Sequence, residues 1–456
     1  MEPLIRDAAE RASRYLAGLP DRRVAPTPTD LVPLERLRVP LQEDPIEPGS
    51  VLAELDALGS PATVASAGGR FFGFVIGGSL PAALAATLLA SAWDQNAGMQ
   101  VTSPIAGALE EVCIDWLTSI FCLPPGCGAG FVSGATMANF SGLAAARHAL
   151  LSRLGWDVEA RGLLGAPPIT VVVGEEVHVS LLKALSLLGL GRERVARVPV
   201  DGQGRMRADS LPPLEGPAIV CLQAGNVNTG AFDPLGEIAG RVRAERVWLH
   251  VDGAFGLWAA ASPVRAHLLE GIDQADSWAT DAHKWLNVPY DSGLVFVRDP
   301  AALRAAMSAT AAYLVEGGRR DPGQYTPELS RRARGIEIWA ALRSLGRSGL
   351  AALVDRCCAH AARFADGLRL AGFTILNEVV LNQVLVSFGS PELTRDVIAT
   401  VQAEGTCWCG GTVWQGHTAM RISVSSWATT EEDVDRSLQA IIAAAGRVRR
   451  DHAGAH

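Results

Sequence analysis

Short apolar runs that end beside charged residues organise the centre of the chain. Val247–Val251, Ser277–Thr280 and Gly293–Val297 are rich in β-branched and aromatic residues and are separated by Gly, Pro and Asp turns. Such runs are typical of buried strands in a largely parallel sheet, and the apolar-periodic segment between the first two predicts a crossover helix. Asp252 follows the first run and Lys284 follows the second. Because ligands bind at the carboxyl ends of strands in open α/β sheets, we expect this acid and this amine to share one crevice.

A further apolar run leads into small residues that could begin a phosphate-binding helix. Gly130–Val132 precedes Gly134, Ala135 and Thr136, and an Ala-rich stretch follows up to His148. The first turn of a helix has unpaired backbone N–H groups and the positive end of the helix dipole. A phosphate could therefore bind here, with a further hydrogen bond from the threonine hydroxyl. The same residues also suit an ordinary strand-to-helix turn.

The two ends of the chain have patterns that differ from the centre. Residues 1–69 begin with an amphipathic stretch and continue into a Pro-rich connector, which suits an arm packed on another surface, and we expect that surface to be a dimer partner. From about residue 350, helical and strand-like runs predict an α+β domain with an antiparallel sheet. We therefore predict an N-terminal arm and dimer-contact segment at 1–69, a large domain at 70–345 and a small C-terminal domain at 346–456.

One uncharged stretch, Phe71–Trp93, is long enough to raise the question of a membrane span. It contains Ser79, which could cap a helix, and Pro81, which suits the first helical turn. The apolar helix that remains is only about a dozen residues, which is too short to cross a bilayer. We therefore interpret the stretch as a buried or subunit-interface helix, and we expect no membrane partner.

Composition narrows the class of protein further. The chain has 456 residues, of which 48% are hydrophobic and 19% charged, and this is typical of a globular protein with room for two domains. The formal net charge of −8 argues against nucleic acid as a partner. The eight cysteines include no pair of C-x-x-C motifs, so we expect neither a metal site nor a disulfide framework. Reduced thiols and the absence of a recognisable signal peptide favour a cytoplasmic protein.

A lysine and an aspartate at one crevice have a specific chemical use. In a pyridoxal phosphate (PLP) enzyme the amine forms a Schiff base with the cofactor aldehyde, and a carboxylate beside the pyridine nitrogen keeps that nitrogen protonated. The protonated ring then accepts electrons when a bond to the substrate Cα breaks. Taken singly, Lys284 also suits a surface amine and Asp252 a helix cap.

The residues around this pair carry a family resemblance. His250-Val251-Asp252-Gly253-Ala254 and Asp281-Ala282-His283-Lys284-Trp285 resemble the PLP-dependent amino-acid decarboxylase family that includes aromatic amino-acid and glutamate decarboxylases. The resemblance implies PLP as cofactor, a homodimer, and the α/β architecture of fold type I, which is aspartate aminotransferase-like. That architecture has a large domain with a mostly parallel seven-stranded sheet and a smaller C-terminal α+β domain.

The resemblance also implies roles for individual residues. Lys284, His178 and Asp252 would be catalytic, with the histidine stacked on one face of the cofactor ring and Ala254 against the other. Phe74 would lie at the substrate pocket. The remaining cofactor contacts would come from the phosphate-binding small residues, from one polar residue after a strand and from the segment before the lysine, namely Gly134, Ala135, Thr136, Asn226, Asp281 and His283.

The chain departs from the family in ways that leave the reaction open. Asn226 stands where the family often has Thr, and Ala282 where it often has Pro. Tyr325 lies in a predicted mobile loop at 311–329 but does not align cleanly with the family's loop tyrosine, so it is either a proton donor or an exposed loop residue. We predict α-decarboxylation of an L-amino acid. Transamination, another carbon–carbon lyase or aldehyde-forming reaction, and a non-catalytic binding role are the alternatives, and acidic, aromatic and aliphatic substrates all remain open.

Overall fold

The chain forms two compact units. The computed structural model describes residues 1–242, 246–309 and 319–454. The small unit consists of Met1–Ile76, His360–Leu376 and Val384–His456, and the large unit of Gly77–Ala359 and Asn377–Gln383. This division by compactness differs from the division into domains predicted above, whose limits stay a prediction.

Thirteen α-helices occur in the described part of the chain. In chain order they are α1 (Glu2–Gly18), α2 (Pro28–Leu31), α3 (Pro48–Ala62), α4 (Pro81–Trp93), α5 (Pro104–Ile120), α6 (Ala135–Ser152), α7 (Val158–Arg161), α8 (Val179–Leu187), α9 (Leu235–Val242), α10 (Pro300–Met307), α11 (Gly335–Leu370), α12 (Pro391–Glu404) and α13 (Glu431–Gly454). Helix α11 is kinked at Gly346, whose backbone is non-helical.

A seven-stranded sheet is the centre of the large unit. Its strands are β1 (Gly128–Val132), β2 (Thr170–Gly174), β3 (Val195–Val198), β4 (Ala218–Gln223), β5 (Val247–Asp252), β6 (Ser277–Asp281) and β7 (Gly293–Val297). Their order is β1-β7-β6-β5-β4-β2-β3, and β2 to β6 are mutually parallel. Only β7 runs against its neighbours, β1 and β6. The predicted seven-stranded, mostly parallel sheet is therefore confirmed.

Helix α6 covers one face of this sheet and is buried along most of its length. Its Ala and Gly residues allow this close approach, because a larger side chain would keep the helix away from the strands. At Gly142 a Cβ atom would lie 3.0 Å from the ring of His250. The small residues of the Ala-rich stretch therefore place the beginning of α6 directly beside the ends of β5 and β6.

The prediction of a crossover helix between β5 and β6 is wrong. Three short 3-10 helices replace it, at Gly256–Ala261, Ala266–Leu269 and Ile272–Gln274. Pro263 lies between the first two and cannot donate a backbone hydrogen bond. Gly271 precedes the third with a φ of 84°, which ends any regular helical run.

The uncharged stretch contains a short helix rather than a span, and the buried residues of this helix are Ala83 and Ala90. Helix α4 has 13 residues and begins with Pro81 as predicted, but its N-cap is Leu80 and not Ser79. The Leu80 N–H donates to the Asn287 carbonyl at 2.7 Å, which ties the start of α4 to the segment after β6. Among the helices of the described ranges, none combines the length and the apolar character needed to cross a membrane.

The small unit contains a four-stranded sheet of β8 (Thr374–Ile375), β9 (Gln383–Ser387), β10 (Gly410–Trp414) and β11 (His417–Ser423), in the order β10-β11-β9-β8. The pairs β10–β11 and β8–β9 are antiparallel, as the predicted α+β pattern requires. The N-terminal segment also belongs to this unit, because the Val24 N–H donates to the Gly405 carbonyl and the Ala65 N–H to the Val24 carbonyl. The predicted arm is thus anchored on its own chain.

Candidate active site

The predicted cofactor residues of the large unit follow the carboxyl ends of its strands. Strand β1 runs in the same direction as β6, because both are antiparallel to β7. Six strands, β1 to β6, therefore present their carboxyl ends at one edge of the sheet, and the predicted residues follow five of them. The predicted residues at or just after those ends are Gly134, Ala135 and Thr136 after β1, His178 after β2, Asn226 after β4, Asp252 and Ala254 at β5, and Asp281, His283 and Lys284 at β6.

Asp252 is the last residue of β5 and is 5% exposed. One carboxylate oxygen accepts from the Asn139 side-chain amide at 3.0 Å, and the other accepts from the Ala254 backbone N–H at 3.2 Å. Two donors therefore hold the carboxylate plane in one orientation. This arrangement suits an acid that must face a cationic group, such as a protonated pyridine nitrogen.

Asn139 was missed by the sequence reasoning, which assigned it no role. It is fully buried in the second turn of α6 and joins Asp252 to His250, whose Nε2 lies 2.8 Å from the Asn139 Oδ1. A usable signal was present in the sequence. Asn favours caps and turns over helix interiors, so a lone Asn in an Ala-rich helix start calls for a specific partner.

Lys284 lies just after β6, in a turn packed on the glycine-rich segment before α4. A Cβ atom on Gly77 would lie 1.7 Å from the Lys284 carbonyl oxygen, so only glycine fits there. The Lys284 Nζ lies 3.1 Å from Asp281 Oδ2, and its side chain is 18% exposed. The whole sequence has only one other lysine, Lys183, which is exposed on α8.

The start of α6 forms a site for an oxyanion. Gly134 is the N-cap and provides no side-chain hydrogen bond. The Ala135 N–H donates instead to Asp281 Oδ1 at 2.5 Å. A Cβ on Gly134 would lie 3.2 Å from His283 Cε1 and 3.4 Å from the same aspartate oxygen, so a side chain would fill this space. Within the described ranges no hydrogen bond engages the hydroxyl or the N–H of Thr136.

These observations test whether PLP fits the residues present. A helix start whose N–H already donates to a carboxylate oxygen suits the oxygens of a phosphate. A half-buried amine next to it suits an aldehyde, and a doubly hydrogen-bonded carboxylate on the neighbouring strand suits a protonated ring nitrogen. The donor set therefore fits the cofactor, with Asp281 as the one residue whose charge opposes that of a phosphate.

His283 is oriented towards Asp281 by its backbone surroundings. Its Nδ1 accepts from the Ser292 N–H at 3.1 Å, and its ring contacts that of Tyr290 at a centroid distance of 4.3 Å and a tilt of 30°. Burial lowers the pKa of His283, which favours the neutral ring. The hydrogen of a neutral ring is then on Nε2, which lies 3.6 Å from Asp281 Oδ1.

His178 serves as the N-cap of α8. Its Nδ1 accepts from the Ser180 N–H at 3.2 Å and lies 2.7 Å from the Ser180 hydroxyl. The H-x-S spacing is therefore explained by helix capping, and the same bonds fix the ring at the carboxyl edge of β2. Its stacking on the cofactor stays a prediction.

Asn226 is 1% exposed and its side chain is engaged in the turn after β4. The amide nitrogen donates to Glu176 at 3.0 Å, and the amide oxygen accepts from the N–H groups of Asn228 and Thr229. These bonds provide a structural reason for the residue, and its cofactor contact stays a prediction.

Two other predicted residues lie in different surroundings. Phe74 belongs to the small unit, is 61% exposed and stacks on Trp408 at 5.4 Å, so its substrate role stays a prediction. Residues 311–318 of the predicted mobile loop lie outside the described residues. Tyr325 is described and ends a 3-10 helix, where it is half-buried with the guanidinium of Arg320 4.5 Å above its ring. Its role as proton donor stays open.

Comparisons with known proteins agree with this geometry. Residues 28–389 match the family model described as a pyridoxal-dependent decarboxylase conserved domain. The aromatic-L-amino-acid decarboxylase of Bacillus atrophaeus is 30% identical over 299 residues, which are 63% of this chain and 60% of that enzyme. The L-2,4-diaminobutyrate decarboxylase of Rhizobium meliloti is 30% identical over 397 residues, which are 81% of this chain and 77% of that enzyme. The chain thus spans about three fifths of the first relative's length.

A solved structure supports the architecture over nearly the whole chain. A crystal structure of Oryza sativa TDC with PLP and tryptamine covers 98% of this chain and 97% of its own, with a TM-score of 0.89 and 23% sequence identity. At this identity the likeness concerns the fold. It confirms the predicted fold class, a large α/β unit with a smaller C-terminal α+β part.

Proposed function

The chain belongs to the pyridoxal-dependent decarboxylase family, and we propose that it removes the α-carboxylate of an L-amino acid as CO2 and releases the amine. Membership confirms the predicted family and the predicted cofactor, PLP. The relatives named above act on different amino acids, one aromatic and the other carrying a second amine. Their names therefore support an amino-acid substrate without selecting its side chain.

Bound PLP supplies an aldehyde that can form an imine with an amine, and a ring that accepts the electrons of a broken bond at the substrate Cα. We assign covalent attachment to Lys284. Asp281 Oδ2 lies 3.1 Å from its Nζ and can hold the proton that the amine must lose before it attacks a carbonyl. Asp252 would hold the protonated ring nitrogen, and the N–H groups at the start of α6 would hold the phosphate.

His178 and Ala254 would lie against the two faces of the ring. The bonds to Ser180 keep the histidine ring fixed, so it could exclude water from one face without losing order on binding. Ala254 has a small side chain, so it adds little bulk beside the Asp252 carboxylate. Its N–H donates to that carboxylate.

One observation carries the proposal more than any other. Lys284 and Asp252 follow neighbouring parallel strands, β6 and β5, and the start of α6 reaches both of them through Asp281 and Asn139. An amine, a carboxylate and an oxyanion site thus follow neighbouring strands at one edge of one sheet.

The decisive experiment uses the PLP-loaded enzyme and a panel of amino acids that are isotopically labelled at the carboxylate carbon. Labelled CO2 together with the matching amine is the expected result, measured by mass spectrometry. A keto acid without labelled CO2 would instead identify an aminotransferase, and labelled CO2 with an aldehyde would identify an aldehyde-forming enzyme. A protein that takes up no PLP would favour the alternative of a non-catalytic binding role.

We also propose that the enzyme is a homodimer. The N-terminal segment exposes large apolar side chains, including Val32, Val39 and Leu41, the last of which is 90% exposed. Apolar groups that the chain's own unit leaves uncovered are typical of an interface. Light scattering should give twice the chain mass of 48.0 kDa, and a Val39→Glu, Leu41→Glu variant should shift that mass towards a single chain. A wild-type mass equal to that of one chain would refute the dimer.

A reducing compartment, the cytoplasm, is the location we propose. The support is that all eight cysteines are free thiols, and that seven of them are buried. Labelling with a thiol reagent under native and denaturing conditions should give one and eight modified cysteines respectively.

A further inference from the structure

A row of buried polar side chains extends from Asp252 into the core, away from the carboxyl edge of the sheet. It runs from Asp252 to Asn139, then to His250, to Ser277 and finally to Trp248. The three inner contacts are each 2.8 Å long, and none of these side chains is more than 5% exposed. Polar groups with so little contact with water are costly unless every donor meets an acceptor.

The two ends of this row determine the directions of the hydrogen bonds next to them. The carboxylate of Asp252 only accepts, so the atom of Asn139 that faces it is the NH2 group, and the Asn139 oxygen faces His250. The His250 Nε2 must then carry a hydrogen. At the other end the Trp248 indole only donates, and Ser277 Oγ accepts from it.

A neutral middle histidine is consistent with both ends of the row. With its hydrogen on Nε2, the bare Nδ1 of His250 accepts from the Ser277 hydroxyl. Burial lowers the pKa of His250 to about 3, which is consistent with a neutral ring. Each member of the row therefore donates towards Asp252.

We propose that Asn139 and His250 are positioning residues that hold the Asp252 carboxylate oriented for the ring nitrogen of the cofactor. This inference rests on the proposed function, because Asp252 has that partner only in a PLP enzyme. The helix beginning at Ala135 thus acts twice. Its first turn would hold the phosphate, and its second turn, through Asn139, orients the acid that would hold the ring nitrogen.

The test compares PLP with its 1-deaza analogue, in which a carbon atom replaces the ring nitrogen. Dissociation constants for both are measured by absorbance titration of the apoenzyme, so activity is not needed. Wild type should bind PLP more tightly than the analogue, and Asn139→Leu should reduce that preference about 10-fold, since one charge-assisted hydrogen bond is lost. The matched control is Ser141→Ala, which removes another buried polar group of α6 and should keep the preference.

A second pair of variants acts at the far end of the row and removes much less volume. Ser277→Ala should reduce the preference about 3-fold, because a neutral bond two steps from the carboxylate is weaker. Ser277→Thr keeps the hydroxyl and should restore the preference.

The outcomes separate this inference from the proposed function. Equal weakening of PLP and of the analogue in Asn139→Leu would mean a merely structural residue and would overturn the inference, as would an unchanged preference. In both cases a wild-type preference for PLP leaves the role of Asp252 standing. A wild type without that preference would overturn the role of Asp252 and this inference together.

Discussion

Two aspartates end neighbouring strands of one sheet, and the structure gives them opposite relations to the same cofactor. Asp252 ends β5 and Asp281 ends β6, and they are 5% and 3% exposed. Asp252 accepts from two neutral amides, whereas Asp281 accepts from a helix N-terminus and lies 3.1 Å from the amine of Lys284. Equal burial and equal chemistry therefore do not imply equal roles.

The difference comes from what each carboxylate faces. Asp252 accepts hydrogen bonds from two amide groups of the protein. It can therefore pair with a cation such as a protonated ring nitrogen. Asp281 occupies the helix start at which an incoming phosphate would bind, and like charges at short range repel. The first arrangement favours bound PLP and the second opposes it, so substitutions at the two positions should act in opposite directions.

The largest effect is expected from removal of the reacting amine, Lys284, whose Nζ lies beside Asp281. Lys284→Arg keeps the positive charge near Asp281 but cannot form a stable imine, so activity should fall about 10³-fold or more. Borohydride reduction followed by peptide mass spectrometry should find PLP on Lys284 in wild type. Because the only other lysine is Lys183, the control Lys183→Arg should label and react normally, and label on Lys183 would contradict the assignment.

Asp252→Asn should lower kcat about 100-fold, because the carboxylate that stabilises a protonated ring nitrogen is replaced by a neutral amide of the same shape. PLP should still become attached to Lys284, which borohydride labelling would verify. A kcat within a few-fold of wild type would show that the ring nitrogen has another partner.

Asp281→Asn should change cofactor binding in the other direction. Without the negative charge at the start of α6, the dissociation constant for PLP should fall about 5-fold. Pyridoxal, which has no phosphate, is the control ligand, and its affinity should not improve. Equal improvement for both ligands would place the gain elsewhere than at the phosphate.

The pH dependence of stability should test whether His250, which supports Asp252 through Asn139, is neutral in the folded chain. His250 has a folded pKa of about 3, below its unfolded value of about 6.5, so the unfolded chain takes up a proton between these values and the folded chain does not. The free energy of unfolding contributed by His250 is therefore lost as the pH falls below 6.5. Relative to His250→Gln, wild type should lose about 1.4 kcal/mol per pH unit in denaturant titrations. A constant difference would refute a buried neutral histidine.

Several elements could be predicted because their signals are local. The apolar runs that became β5, β6 and β7, the small residues that begin α6 and the motifs around Asp252 and Lys284 are each contained in a few consecutive residues. Side-chain periodicity and turn residues determine such elements before any distant part of the chain is in place.

The crossover between β5 and β6 shows where local reasoning is insufficient. Its apolar spacing resembles a helix, yet the segment forms 3-10 turns. They are held partly by distant partners, since the Ser262 hydroxyl donates to Asp355 at 2.6 Å. Packing and long-range hydrogen bonds decided its conformation against the spacing.

The sequence by itself determined which apolar runs form the central strands, which motifs carry the family resemblance, and which amine and acid lie at the centre of the site. Only the tertiary structure decided that Asn139 supports Asp252 across 113 residues, and that Asp281 reaches the Ala135 N–H across 146. The physical reason is that a hydrogen bond depends on the position of both partners. For residues so far apart in the chain, those positions exist only once the sheet and helix α6 have packed together.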